Sequence, residues 1–266
     1  MKRLRKMKTA EFITWASSAW PEALAEEWDN PGLISGSLDA EHSKALVTVD
    51  ITAEVVDEAI KQGCTLIVAH HPLLLGGIDT LREDLYKGSI LATAIKHDIV
   101  LFAAHTNADV VSGGVSDALA KALGIENPRA LDGNTEGHGR VGNVSPRTLG
   151  RLLEDVRSVI SPTAKPIAYI GDLDMTIETV ALVAGSGMSF SDVADADVFI
   201  TSDIKHHPAL DFKQQQLISG PKALIDISHY GAESIWLTTL AEQLEDLGLD
   251  TSISKVNTDP WDGVIQ

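Results

Sequence analysis

Residues 44–71, KALVTVDITAEVVDEAIKQGCTLIVAHH, decide the fold that the sequence predicts. The run 44–49 is apolar and β-branched, and 65–69 forms a second such run, which is typical of buried strands. Between them, residues 53–62 carry apolar side chains at helical spacing, and Gly63 provides a helix stop. Continuous apolar strands separated by a helix favour a parallel sheet that is covered on both faces.

The same alternation of helix-like and strand-like segments continues along the chain and predicts an α/β fold class. Further helices are predicted at 9–20, 83–96, 116–123, 148–159 and 232–247. Further strands are predicted at 99–104, 167–170, 179–184, 198–201, 223–227 and 250–256, the last as an edge strand. The polar, turn-rich segment 126–140 is interpreted as a boundary, after which a second unit begins.

The net charge of −17, from 21 basic and 38 acidic residues, excludes several classes of partner. A surface this acidic repels phosphate backbones and anionic lipids, so we expect neither nucleic acid nor a membrane as partner. No segment approaches 18 consecutive apolar residues, and the basic start lacks the apolar stretch of a signal peptide. We expect a soluble, cytoplasmic protein whose single cysteine, Cys64, is a buried structural thiol.

Six of the nine histidines, together with several carboxylates, directly follow the predicted strands. In a parallel sheet, ligands bind beyond the carboxyl ends of the strands, where residues from distant parts of the chain meet. The residues in these positions are Asp50, His70, His71, His105, Asp109, Asp203, His206, His207 and His229. We therefore expect a cluster of imidazoles and carboxylates at one edge of the sheet.

Five residues have the stereochemistry of a two-metal site. His70 and His71 are neighbours at a strand exit, so their side chains point in different directions and serve two ions rather than one. His229 and Glu233 are four apart at the start of a predicted helix and share one face. Glu233 is placed to bridge two ions, and Asp109 supplies a further oxygen ligand. Such pairs of cations lie about 3.5–4 Å apart.

The ligand types also indicate the metal and the chemistry. Imidazole and carboxylate ligands without thiolate suit two divalent ions of zinc, manganese, iron or cobalt. Two such ions lower the pKa of a bridging water and yield hydroxide near neutral pH, which predicts hydrolysis. His105 and Asp203 are the candidate catalytic residues, as proton relays.

Ordinary structural roles are the alternative interpretation for the other histidines and for one glycine turn. A single histidine at a strand end is more often a capping or packing residue. His42 and His97 are expected at the surface, and no spacing makes His206 or His207 a metal ligand. The turn Gly185-Ser186-Gly187 resembles a phosphate-binding turn but lacks the third glycine of a dinucleotide motif.

Five motifs follow one another along the chain: WDNPGL (28–33), AHHPLL (69–74), AHTNAD (104–109), TSDIKHH (201–207) and DISHYGAE (226–233). Through them the sequence resembles the NGG-interacting-factor-3-like dinuclear-metal proteins, often described as GTP cyclohydrolase I type 2 homologues. The resemblance implies metal ligands at His70, His71, Asp109, His229 and Glu233, with Glu233 shared between both ions. Ser202 and His206 depart from the family pattern, in which glycine and tyrosine are common at these positions.

The resemblance further implies two α/β domains, the second inserted into the first, with a dinuclear metal site in the cleft between them. On this basis we predict a metal-binding domain built from 1–128 and 221–266 and an inserted domain at 129–220. A homo-oligomer, in many family members a ring-shaped hexamer, is also implied.

Two functions of different classes follow from these expectations. The first is a metal-dependent hydrolase that acts on a nucleotide or related small molecule, in the manner of a GTP cyclohydrolase, through a metal-bridging hydroxide. The second is a metal chaperone or metal-storage protein, which needs the ligands but no organised substrate pocket. A purely structural metal site in an oligomeric scaffold is a third interpretation.

Overall fold

The computed structural model describes residues 6–192 and 194–265, and its mixture of helices and strands confirms the predicted α/β class. Its helices are α1 (Thr9–Ala19), α2 (Ala53–Gln62), α3 (Tyr86–Lys96), α4 (Thr106–Val110), α5 (Val115–Ala122), α6 (Leu149–Val159), α7 (His206–Ser219), α8 (His229–Glu233) and α9 (Trp236–Asp246). Its strands are β1 (Met7–Lys8), β2 (Gly32–Ser35), β3 (Glu41–His42), β4 (Lys44–Thr48), β5 (Leu66–Ala69), β6 (Val100–Ala103), β7 (Glu126–Arg129), β8 (Arg140–Thr148), β9 (Ala168–Ile170), β10 (Thr176–Leu182), β11 (Val198–Ser202), β12 (Ala223–Ile227) and β13 (Asp250–Ile253).

Residues 44–69 form a strand, a helix and a strand, as the sequence predicted. Helix α2 begins after Thr52, whose Oγ1 accepts a hydrogen bond from the Val55 amide at 3.3 Å. It ends at Gly63, which has a φ of 69°, a left-handed conformation that strains other residues. Both helix signals were present in the sequence, and the predicted bounds of this helix are confirmed.

The described residues fall into two compact units. The first comprises 6–108 and 237–258, and the second comprises 109–192, 194–236 and 259–265. The units therefore divide the chain after residues 108, 236 and 258, whereas the sequence prediction divided it after 128 and 220. The difference arises because β7 pairs with β8, and β12 with β11 and β9, so both turn-rich segments connect strands of one sheet.

The sheet of the first unit has the strand order β13-β4-β5-β6-β2. Strands β13, β4, β5 and β6 are parallel, and β2 runs antiparallel to β6. Every residue of β5 and β6 is buried, which confirms strands covered on both faces. The closing strand β13 lies at the edge, as predicted, whereas β2 makes the sheet mixed rather than wholly parallel.

The sheet of the second unit has the order β7-β8-β10-β11-β12-β9 and is also mixed. Its three central strands, β10, β11 and β12, are parallel, and β8 and β9 flank them in antiparallel orientation. The carboxyl ends of the three central strands consequently share one edge of this sheet. A further antiparallel pair, β1 with β3, belongs to the first unit.

The prediction of one continuous helix at 232–247 is wrong, because two helices, α8 and α9, occupy this region. Helix α8 begins at His229 after a cap in which Ser228 Oγ accepts a hydrogen bond from the Gly231 amide at 3.2 Å. Helix α8 ends at Glu233, and α9 begins at Trp236. Apolar periodicity located α9 but carried no information about the short capped turn before it.

Cys64 is buried, as predicted, and burial raises the pKa of its thiol. Among the described residues, every helix is too short or too polar to cross a membrane.

Asp197 holds the start of the parallel region of the second sheet together. It directly precedes β11, and its Oδ2 accepts hydrogen bonds from the Glu178 amide at 2.9 Å, the Thr179 amide at 2.8 Å and Thr179 Oγ1 at 2.9 Å. These donors lie where the pairing of β10 with β8 is irregular. Burial raises the pKa of Asp197, but these hydrogen bonds outweigh it and lower the pKa below the usual range.

We expect Asp197→Ala to lower the free energy of unfolding by about 2–3 kcal/mol, because two main-chain amides lose a charged acceptor. The lowered pKa implies that this stabilisation is complete above the ordinary aspartate range and is lost as the pH falls through and below that range. Urea unfolding at pH 7 and at acidic pH measures both effects. Asp195→Ala is the matched control, since its carboxylate is fully exposed and pairs with Lys222 at 3.6 Å. Equal stability of the two variants at pH 7 would contradict the prediction.

Candidate functional site

Three histidines of the first unit meet at the carboxyl edge of its sheet. His70 and His71 follow β5, and His105 follows β6, as the sequence predicted. One ring nitrogen of each lies within 4.8 Å of the others, a spacing at which imidazoles could hold a metal ion. The ring centroids of His70 and His71 are 4.8 Å apart, and each lies 5.2 Å from that of His105.

His70 and His71 are held from opposite sides. The Nδ1 of His70 lies 2.9 Å from the main-chain oxygen of Ala104, beyond β6, and the Nδ1 of His71 lies 2.8 Å from Asp50 Oδ1, beyond β4. A carbonyl or carboxylate oxygen only accepts, so Nδ1 carries the proton in both rings and Nε2 carries the lone pair. The opposite directions agree with the expectation that neighbouring residues point apart.

His105 is oriented by Asp29, which directly follows Trp28. Asp29 Oδ1 accepts from His105 Nδ1 at 2.8 Å, and its Oδ2 accepts from the Thr106 amide at 3.0 Å and from Thr106 Oγ1 at 2.5 Å. The Asp29 carboxyl is fully buried. Burial raises its pKa, but the hydrogen bonds from His105 and Thr106 outweigh this and hold the pKa well below the usual range.

The second unit also carries potential metal ligands, at the carboxyl edge of its own sheet. His229 follows β12, and Asp203 follows β11. Asp203 Oδ2 accepts from His229 Nδ1 at 2.6 Å, and His229 Nε2 lies 2.8 Å from Glu233 Oε1 one helical turn later. The predicted sharing of one helix face by His229 and Glu233 is therefore confirmed. Glu233 is buried, whereas the side chain of His229 is 33% exposed.

Asp203 occupies an unusual backbone position, with a φ of 56°. The hydrogen bond from His229 is the largest influence on its carboxyl and lowers its pKa. Burial opposes this effect, and the charge of Lys165, 3.9 Å from Asp203 Oδ1, adds to it. Asp203 is thus a charged acceptor that orients His229, much as Asp29 orients His105.

The glycine turn at 185–187 lies against the same donors. Gly185 has a φ of 83°, and a Cβ at this position would lie 2.5 Å from Glu233 Oε1 and 3.5 Å from His229 Nε2. The turn is tied to β11, because Thr201 Oγ1 donates to the Gly185 carbonyl at 2.9 Å and accepts from the Gly187 amide at 2.8 Å. The turn therefore leaves room for the carboxylate and imidazole to meet, and only glycine fits at its first position.

The other predicted residues lie in varied surroundings. Asp109 is partly buried in the short helix α4 and belongs to the second unit. His206 and His207 are exposed at the start of α7, with ring centroids 5.3 Å apart. His97 is exposed as expected, but the expectation for His42 is wrong.

His42 is fully buried because its two ring nitrogens are satisfied inside the first unit. Its Nε2 lies 2.8 Å from Thr9 Oγ1 and its Nδ1 lies 2.9 Å from Thr65 Oγ1. Burial is the main cause that lowers its pKa. The polar sequence around this histidine gave no sign of the two hydroxyl partners.

Two charged residues near these histidines were not identified from the sequence. Asp29 lies 76 residues before His105, and Lys165 lies 61 residues before its partner Asp226. The WDNPGL motif carried a signal for Asp29, since it contains a carboxylate in a segment shared with the resembling family. Lys165 lies in a loop, and nothing in the sequence sets it apart from the other lysines.

The donor sets of both units fit a divalent metal ion. Each offers imidazole nitrogens, carboxylate oxygens or both, and the one thiol of the chain is buried elsewhere, before β5. Such ligands suit zinc, manganese or iron. The metal-binding imidazoles of proteins usually donate their second N–H to a carboxylate or a main-chain carbonyl, the pattern that all four of these histidines show.

We expect Gly185→Ala to weaken zinc binding by about tenfold or more, because the new Cβ displaces Glu233 Oε1. Gly220→Ala is the control. Gly220 has a similar φ of 92° but no atom within 4 Å of the position of a Cβ, so that variant shows only the backbone strain of about 1 kcal/mol. Competition with a chromophoric chelator measures the affinity. Equal affinities for the two variants would contradict the assigned role of Gly185.

The chain is similar to several known proteins over most of its length. The chain matches the model of the family described as Duf34/NIF3 (NGG1p interacting factor 3) over residues 7–260. A Streptomyces coelicolor protein named GTP cyclohydrolase 1 type 2 homolog is 38% identical over 270 residues, which cover 96% of this chain and 93% of that protein. A Clostridium perfringens protein of the same name is 32% identical, over 96% of this chain and 99% of that protein.

Among solved structures, the Staphylococcus aureus hypothetical protein SA1388 matches with a TM-score of 0.88 and 32% identity, over 98% of this chain and 100% of that chain. The match in both sequence and structure extends over nearly the whole chain and includes the five motifs. The resemblance inferred from those motifs is confirmed, and this protein belongs to the DUF34/NIF3 family.

Proposed function

We propose that this protein binds divalent metal ions and hydrolyses a nucleotide or a related small molecule. The proposed metal ligands are His70 and His71 in the first unit and Asp109, His229 and Glu233 in the second. The family resemblance implies that they form one dinuclear centre, with Glu233 shared between the ions, in the cleft between two domains. We include that centre and a homohexameric assembly in the proposal.

The main observation that supports metal binding is that four imidazoles are held by the same ring nitrogen, Nδ1. His70, His71, His105 and His229 each place Nδ1 against an oxygen acceptor, at 2.6–2.9 Å. This contact favours the tautomer whose Nε2 carries the lone pair in His70, His71 and His105, whereas Nε2 of His229 faces the Glu233 carboxylate at 2.8 Å. Packing or capping roles do not require the same Nδ1 contact four times, whereas this contact is the usual support of an imidazole that binds metal through Nε2.

Divalent cations bound at these donors would polarise a substrate oxygen and lower the pKa of a water molecule, which is the chemistry that hydrolysis needs. The residues of the chain provide orientation and proton transfer. Asp29 holds the ring of His105, which takes up and returns a proton at Nε2. Asp203 holds His229 through Nδ1, and this bond favours an orienting role for Asp203 over a direct proton relay.

The substrate class is proposed from the relatives and from charge. The Streptomyces coelicolor and Clostridium perfringens proteins are named GTP cyclohydrolase 1 type 2 homologs, which suggests a nucleotide. A chain with a net charge of −17 repels a triphosphate unless cations offset the charge locally. Bound metal ions and the exposed Lys205, two residues after Asp203, would supply such positive charge.

Metal handling without turnover is the second candidate function, and one observation favours it. The side chains of Asp203 and His229 are 52% and 33% exposed, so the donor set of the second unit is accessible from solvent. An accessible donor set suits the loading and release of an ion as well as it suits substrate binding. The two functions differ in whether a substrate is consumed.

We expect the zinc-, manganese- or iron-loaded protein to hydrolyse GTP or another member of a nucleotide panel. The double variant His71→Ala, Glu233→Ala is expected to lose both metal and turnover, because each unit loses a proposed ligand. Elemental analysis measures the bound metal, and chromatography of the products measures turnover. His97→Ala is the matched control, since His97 is an exposed histidine that ends α3, and it should keep both properties.

Absence of turnover with every metal and nucleotide, or equal turnover by the double variant, would sink the hydrolase proposal. Rapid transfer of metal to an apo-enzyme in that case would support the metal chaperone instead. Less than one bound ion per wild-type chain after reconstitution would contradict the five-ligand assignment itself.

We expect the protein loaded with two Mn²⁺ ions to show an exchange-coupled signal in electron paramagnetic resonance, because ions about 3.5–4 Å apart share bridging ligands. The coupling should vanish in Glu233→Gln, which removes the proposed bridging charge. Two uncoupled Mn²⁺ signals in the wild type would mean that the two donor sets bind separate ions. This measurement requires no substrate.

A further inference from the structure

Five charged or polar groups of the second unit form a continuous chain that ends at its proposed metal ligands. Lys165 Nζ lies 2.7 Å from Asp226 Oδ1 and 3.9 Å from Asp203 Oδ1. Asp203 contacts His229 Nδ1 at 2.6 Å, and His229 Nε2 lies 2.8 Å from Glu233 Oε1. Lys165 is the cation between the first two carboxylates of this chain, and His229 lies between the second and the third.

Hydrogen bonds connect the loop that carries Lys165 to both ends of α8, the helix that carries His229 and Glu233. Ser234 Oγ donates to Ser161 Oγ at 2.7 Å. Asp259 accepts from the Ala164 amide at 3.2 Å and from Ser228 Oγ, the cap of α8, at 3.4 Å. The ammonium of Lys165 and the imidazole of His229 are therefore supported by the same contacts.

The surroundings give this ammonium more influence than a surface lysine has. The side chains of Lys165 and Asp226 are 23% and 18% exposed, so solvent screens their interaction incompletely. Without the cation, Asp203 and Asp226 repel each other, and Asp203 is driven away from the position in which it holds His229.

We propose that Lys165 is a positioning residue for the metal site of the second unit. Its ammonium places the Asp203 carboxylate, which accepts a hydrogen bond from His229 Nδ1 and thereby fixes the direction in which Nε2 points. The inference deepens the proposed function and rests on it for the identity of the metal, but the Lys165–Asp203–His229 contacts do not depend on a metal.

The test compares zinc affinity, by chelator competition, across the full-length wild type and three variants. Lys165→Met should weaken at least one zinc-binding step by about 10–100-fold, the usual effect of losing an outer partner of a ligand. Lys165→Arg keeps the charge and should stay within a few-fold of the wild type. Lys222→Met is the matched control, because it removes a lysine of the same unit that pairs with an exposed carboxylate at 3.6 Å.

A second readout does not require metal. In the metal-free protein, long-range ¹H–¹⁵N spectra identify the His229 Nδ1 proton, and its exchange with water reports the bond to Asp203. The proton should be protected in the wild type, Lys165→Arg and Lys222→Met, and should exchange faster in Lys165→Met. If Lys165→Met unfolds, Lys165→Gln removes the charge but keeps a polar side chain and should show the same faster exchange, whereas Lys165→Met, Asp226→Asn also removes the repelling carboxylate and should restore protection.

The outcomes separate this inference from the proposed function. If the wild type binds no zinc but Lys165→Met loses the protected proton, metal binding fails and the positioning role of Lys165 stands. If the wild type binds zinc and Lys165→Met has the same affinity and the same protected proton, the inference is overturned. A weakened affinity with an unchanged proton also overturns it, since Lys165 would then act by a route other than His229.

Discussion

Parallel pairing of strands that end at the same level is the constraint on which both candidate donor sets depend. In the first unit, the register aligns Thr48 of β4 with Ala69 of β5, and Ala69 with Ala103 of β6. The residues that follow these strands therefore leave the sheet at one edge. The parallel strands β10, β11 and β12 bring Gly185, Asp203 and His229 to one edge of the second sheet in the same way. Antiparallel neighbours would send alternate strand ends to opposite edges.

Hydrogen bonds donated by Nδ1 then orient the rings of the clustered histidines. Asp50, Asp29 and Asp203 each hold one imidazole, and the Ala104 carbonyl holds a fourth. The lowered pKa values of Asp29 and Asp203 keep these carboxylates charged, so they remain acceptors at neutral pH. Some of the carboxylates that make up the net charge of −17 therefore orient imidazoles, which the net charge alone did not indicate.

The accuracy of the sequence predictions varied with the range of the interactions involved. Helix α2 was predicted to the residue because its cap, its apolar spacing and the glycine that ends it are all local. The separation of α8 from α9 was missed because the five residues of α8 carry no apolar period, and its cap is supported by Asp259, far along the chain. His42 was misjudged for the same reason, since Thr9 and Thr65, which bury it, lie more than twenty residues away on either side.

The sequence by itself determined the α/β class, most of the strands and helices, the residues that follow each strand, and the family to which the chain belongs. These properties depend on local periodicity, on helix-ending residues and on motifs, all of which are readable along the chain. The tertiary structure alone decided that both sheets are mixed, that Asp29, Asp50 and Asp203 orient particular imidazoles, and that Lys165 stands beside Asp203. Such contacts depend on which strand ends become neighbours. That choice is made when the sheets assemble from segments that lie tens of residues apart.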